Sequence, residues 1–185
     1  MKIIKLFLPS IITMVISISM IGVGTASAKT LVFCSEASPE GFNPAFYTSD
    51  TTFDASSRTL FNKLAEFERG TTSIAPALAE RWTVSSDGKT YTFKLRKGVK
   101  FHTTKNFTPS PDFNAEDVLF SFARQWDKNH PYYAVSGGSY EYFNGMSMPD
   151  LIKDIVIVDP YTIQFMLNRQ EAPFIANMGM DFASI

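Results

Sequence analysis

The stretch Asp87 to His102, DGKTYTFKLRKGVKFH, constrains the fold more than any other part of the chain. Asp87-Gly88 is a tight-turn dipeptide. After it, Tyr91, Phe93 and Leu95 fall on one side of an extended chain and Thr90, Thr92 and Lys94 on the other. A period of two with one apolar side is a half-buried strand, and the preceding RWTVS supplies its hairpin partner. A second hairpin pairs DIVIVD with TIQFML across Asp159-Pro160-Tyr161. Between the two, Asn114 caps a helix through AEDVLFSFARQWDKN, with Asp117 three residues on as an approximate capping box. Val118, Leu119, Phe122 and Trp126 form its buried stripe.

The remaining segments are less regular. TLVFCS (30–35) reads as a first strand, ended by a loop whose Pro39, Gly41 and Pro44 oppose regular structure. Asp54 or Thr52 then caps a predicted helix through FDASSRTLFNKLAEF, where Phe53, Leu60, Phe61 and Leu64 recur at helical spacing. RGTTSIAPALAERWTVSSDG is short and broken, with Trp82 as an aromatic anchor, and PYYAVSGGSYEYFNGMSMP is a loop rich in Gly and Tyr. EAPFIANMGMDFASI starts another helix and stops on apolar residues, which leads us to expect an N-terminal piece of a longer chain.

The N-terminus sets an expected location. Lys2 and Lys5 precede an apolar run that ends in small residues, with Ala26 and Ala28 in the small-x-small pattern of a signal-peptidase site. Pro9 and the many serines oppose the alternative of a retained membrane anchor. Cleavage after residue 28 leaves an exported chain starting near Lys29, with 15 basic against 18 acidic residues. That balance carries no electrostatic footprint for nucleic acid and no polybasic patch for anionic lipid. Cys34 is the single cysteine. In an oxidising compartment it is either an inert buried thiol or half of a disulfide whose partner is absent, and composition does not choose.

No catalytic constellation is legible. His102 and His130 stand far apart without neighbouring metal-ligand spacing, so no metal or cofactor is expected. Glu116-Asp117 sits in a helix's first turn, where the macrodipole accounts for it, and Gly137-Gly138 reads as a turn. Three features point toward binding instead. YTSDTT (47–52) gathers hydroxyls and backbone N–H groups before a helix start, where they serve either a ligand or ordinary capping. GSYEYF (138–143) puts aromatics on a loop, either for packing or for contact, and Asp181 is a candidate to face a cleft that local sequence does not decide.

The order of DGKTYTFKLRKGVKFH, preceded by LAERWTVSS and followed by FNAEDVLFSF, resembles the solute-binding proteins of family 5, the peptide- and nickel-binding components of ABC importers. The similarity continues through SPEGFNP, VSGGSYEYF and EAPF, and is greatest to the dipeptide-binding members. The resemblance implies an α/β fold of the type II periplasmic-binding-protein kind, present here only as lobe I with an inserted α+β subdomain. It implies a lobe I start at 29–65, the inserted subdomain at 66–175 and a return to lobe I at 176–185. The implied partners are a dipeptide or short peptide and an inner-membrane ABC permease, for a periplasmic, monomeric protein that is not an enzyme.

A peptide zwitterion requires a carboxylate and an Arg fork, and the resemblance places both beyond Ile185. It carries over one contact, Thr48, with Ser49, Asp50, Thr51 and Thr52 as its loop. This chain departs at Asp50, where the dipeptide binders have Gly; a carboxylate there restricts the backbone or repels a ligand carboxylate. Cys34 resembles a family cysteine that pairs within lobe I, with its partner beyond this chain. Other readings are a same-family binder of longer peptides or haem, a truncated product without function, and a secreted hydrolase domain.

Overall fold

The computed structural model describes residue 30, residues 32–109 and residues 111–185. The expected signal peptide, residues 1–28, lies outside the described residues. Residues 35–185 form one compact unit.

Its centre is a four-stranded antiparallel sheet. After a small hairpin, β1 (Ala65–Phe67) with β2 (Ile74–Pro76), the chain enters β3 (Ala79–Val84) and β4 (Thr90–Leu95). It closes the sheet with β5 (Ile152–Asp159) and β6 (Thr162–Leu167), in the spatial order β3-β4-β6-β5. Both predicted hairpins are present, in the expected pairing. Gly88 sits at φ +67°, a conformation that favours glycine and makes the tight turn possible. In β4, Tyr91, Phe93 and Leu95 are buried while Thr90, Thr92 and Lys94 are half-buried on the other face. The two hairpins join where Phe93 pairs with Ile163 and Tyr91 with Phe165.

The core gathers on that apolar face. Phe165 meets Phe122 at 4.9 Å, Phe93 at 5.7 Å and Phe174 at 5.8 Å between ring centroids, a spacing at which aromatic pairs add to simple burial. Phe122 comes from a helix, α2 (Ala115–Trp126), and Phe174 from a later short one. The predicted capping box of α2 is complete: the Asn114 side chain accepts from the Glu116 N–H, and Asp117 accepts from the Asn114 N–H at 2.8 Å. Burial raises the Asp117 pKa, partly offset by that same hydrogen bond.

Three expectations are overturned. The described residues of 30–35 form no strand: Val32 and Phe33 are 78% and 68% exposed, and Cys34 is free and exposed rather than buried. No described strand pairs with them, and without a neighbour to take its N–H and C=O groups an extended segment is no sheet. The predicted helix 53–67 is also absent. A short helix, α1, runs only from Asp50 to Ala55, with Ser49 rather than Thr52 or Asp54 at its N-cap position and no side-chain capping bond from it. The Ser56 hydroxyl then donates to the Thr52 carbonyl, competing with the helix ladder, and the Ser57 hydroxyl turns away to Asp181. The chain turns there, Leu60 is left exposed, and Leu64 and Ala65 enter the core as the start of β1. Lastly, the Gly- and Tyr-rich loop contains two short helices, α3 (Glu141–Gly145) and α4 (Met148–Leu151). Tyr140 and Phe143 are wholly buried there, so those aromatics are packing. The terminal segment forms α5 (Phe174–Asn177), as expected.

Candidate ligand-binding loop

The segment 40–53 has little regular structure, yet side chains hold it at almost every step. The Asn43 side chain accepts from the Ala45 N–H at 3.2 Å, and the Phe46 N–H bonds the Asn43 carbonyl at 3.2 Å, giving a closed turn. Phe46 then lies against Tyr140, with ring centroids 5.2 Å apart. Tyr140 is itself fixed, its hydroxyl donating to the Tyr133 carbonyl at 3.0 Å. Gly41 packs so closely on Tyr47 that a Cβ would stand 2.5 Å from the ring. On the far side Phe53 is buried and meets Tyr142 at 5.7 Å.

The five residues expected to form the site are together, but they do different work. Thr52 is wholly buried, and its hydroxyl oxygen accepts from the Glu40 N–H at 3.0 Å and from the Ser49 hydroxyl at 3.1 Å. It ties the two ends of the loop to each other. Thr51 is buried beside it. Thr48 is exposed and, among the described residues, its hydroxyl makes no hydrogen bond, so it can meet a ligand. Ser49 is half-buried. Asp50 is exposed, and its carboxylate receives Arg58 at 2.9 Å. The repulsion expected from Asp50 is therefore offset by a guanidinium.

Arg58 also bonds Asp54 at 2.7 Å and lies 3.9 Å from Asp181. Partial burial acts to lower its pKa, but the bonds to Asp54 and Asp50 outweigh this and leave the pKa raised. Asp181 further accepts from the Ser57 hydroxyl and lies 3.7 Å from Lys63. Ser57, Arg58, Lys63 and Asp181 line a cleft of about 620 Å³ with Phe67 and Met180. Asp181, which local sequence left undecided, faces this cleft, and its charge is answered within it. His130 is used locally, accepting from the Tyr132 N–H at 3.2 Å.

Sequence reasoning missed Arg124. It lies near the end of α2, donates to the Asn43 side-chain oxygen at 3.0 Å and stands 5.5 Å from the Phe46 ring centre. No local pattern could have found it, because its partner is 81 residues away.

The family model for bacterial extracellular solute-binding proteins, family 5 Middle, matches residues 73–185. The dipeptide-binding protein of Escherichia coli (strain K12) is 59% identical over 168 residues, covering 91% of this chain and 31% of that relative. Heme-binding protein A of Haemophilus influenzae is 54% identical over 161 residues, covering 87% of this chain and 29% of that relative. Among solved structures, a dipeptide binding protein from Pseudoalteromonas sp. SM9913 in complex with Met-Leu superposes with a TM-score of 0.78 at 43% identity, over 82% of this chain and 30% of that one. The chain spans roughly 30% of the length of the curated relatives it matches.

Proposed function

Because the chain belongs to the bacterial extracellular solute-binding proteins of family 5, we propose that it is the lobe I portion of a binding protein that captures dipeptides or short peptides for an ABC importer. The observation that carries this reading is the 59% identity to a dipeptide-binding protein across nearly the whole chain. The built loop at 40–53, with Thr48 free at its surface, supports it from the side of chemistry. In this reading Thr48 hydrogen-bonds the peptide, Ser49 and Asp50 shape its surroundings, and Thr51 and Thr52 hold the loop from inside. A second lobe supplies the carboxylate and guanidinium that the two charged ends of a peptide require. The parts 29–65 and 176–185 belong to lobe I, and 66–175 is its inserted subdomain. Export to the periplasm follows cleavage after residue 28, and Cys34 pairs with a cysteine of the longer protein.

Titration calorimetry of the complete exported protein with Ala-Ala tests the reading. Saturable binding is expected, weakened about fivefold to tenfold by Thr48→Val, the size expected for one lost hydrogen bond. No heat with Ala-Ala or with tri- and tetrapeptides overturns it. A second reading, haem, rests on the 54% identity to a heme-binding protein; a visible-absorption titration with hemin, positive where Ala-Ala is silent, favours it.

A further inference from the structure

We infer that Arg124 is a positioning residue for the peptide-contacting loop: it fixes the turn at residues 43–46 and through it the placement of Thr48. The inference rests on the reading of 47–52 as the ligand loop.

Arg124 joins two parts of the molecule that have different means of staying in place. Its own helix is firmly held. Val118 and Phe122 are buried against the sheet, and the Ala115 N–H bonds the Pro160 carbonyl at 2.9 Å. The loop has no ladder of its own, and the Arg124 guanidinium reaches it in two ways. One N–H donates at 3.0 Å to the Asn43 oxygen, the atom that also receives the Ala45 N–H and so closes the turn. The planar cation also lies 5.5 Å from the Phe46 ring centre, within the range of a cation–π attraction. Phe46 is two residues from Thr48. Burial lowers the pKa of Arg124, with Tyr140 opposing, but an arginine starts so high that it stays charged at neutral pH. A charged, partly desolvated donor holds its acceptor more strongly than a neutral one. A lysine can offer the charge but not the planar fork that serves acceptor and ring together.

The test uses the complete exported protein and the variants Arg124→Gln, Arg124→Lys, Asn43→Ala and the Gln/Ala double variant. Two quantities are read: amide hydrogen exchange without ligand, and Ala-Ala affinity by calorimetry. Arg124→Gln is expected to speed exchange at 43–49 about tenfold while the amides of β4 and β6 stay as in wild type, and to weaken Ala-Ala about tenfold. Arg124→Lys is expected to recover part of both, and the double variant to be no worse than the worse single one. Unchanged exchange at 43–49, or a rise shared equally by β4 and β6, overturns the inference. If wild type gives no heat with Ala-Ala, the peptide reading falls, and exchange confined to 43–49 still upholds the anchoring role. If Arg124→Gln does not fold, Asn43→Ala removes the same bond from the loop side and is judged by the same exchange pattern.

Discussion

The sheet β3-β4-β6-β5 and the segment 40–63 are both well packed, but they are held by different chemistry. In the sheet the backbone does the holding: neighbouring strands exchange N–H and C=O bonds, and in the central β4 and β6 alternation sends Tyr91, Phe93 and Leu95, and Ile163, Phe165 and Leu167, into the core. In 40–63 the backbone has few regular partners, and side chains take over. Thr52, Asn43 and Ser56 each bond a main-chain group, and Phe46 and Phe53 pin the segment through rings. A ladder distributes its strength over many equivalent bonds. A side-chain-held loop depends on a few, and it leaves groups such as Thr48 exposed at its surface.

That contrast predicts how substitutions spread. The largest effect is expected from Phe165→Ala, which removes the ring shared by Phe93, Phe122 and Phe174. A cavity of that kind costs about 3–5 kcal/mol, and a thermal melt of the complete protein should show the loss, with sheet and helix amides losing protection together. Protection lost only near residue 165 contradicts the idea of one cooperative core. Gly41→Ala comes next. Its Cβ drives Tyr47 aside, at a cost of about 1–2 kcal/mol, and exchange should quicken at 40–49 while β4 amides keep their rates.

The two regions also differ in how much of them the sequence discloses. Tyr91, Phe93 and Leu95 announce their strand because alternation is a local signal, and so do Asp87-Gly88 and the Asn114–Asp117 box. In FDASSRTLFNKLAEF the helical spacing of Phe53, Leu60, Phe61 and Leu64 is real, yet the helix ends at Ala55, where the Ser56 hydroxyl takes the Thr52 carbonyl and Ser57 turns to Asp181. Such side-chain bonds do not register in a hydrophobic period. The strand expected at 30–35 fails for another reason: a strand needs a partner, and β-prone residues do not say whether one is present. The site was legible only as a family likeness. Nothing local separates Thr48, which is exposed, from Thr52, which is buried four residues later. The bond between Arg124 and Asn43 links positions 81 apart and leaves no trace in either neighbourhood.

Two smaller tests sharpen the comparison on the sheet side. Asn114→Ala opens the capping box of α2, at a cost of about 1 kcal/mol. A chemical denaturation midpoint measures that loss, and exchange at 43–49 should stay unchanged because Arg124 lies at the other end of the helix. The hairpin turns should respond to acid. The Ser85 hydroxyl and the Lys89 N–H hold the Asp87 pKa below its usual 3.8, and the Thr162 hydroxyl and the Tyr161 N–H do the same for Asp159. A depressed carboxylate contributes stability above the unfolded pKa and loses it as pH falls through the folded one. Stability should therefore fall on acidification below the usual carboxylate value, and fall less in the double variant Asp87→Asn/Asp159→Asn. Equal acid sensitivity in the two proteins contradicts the assignment.

The division of labour between scaffold and loop is tested most directly by amide hydrogen exchange of the complete exported protein, free and saturated with Ala-Ala. The account predicts added protection at residues 43–52 and unchanged rates in the amides that join β4 to β6. Protection confined to the sheet, or none at 43–52 when calorimetry shows the peptide bound, would contradict it.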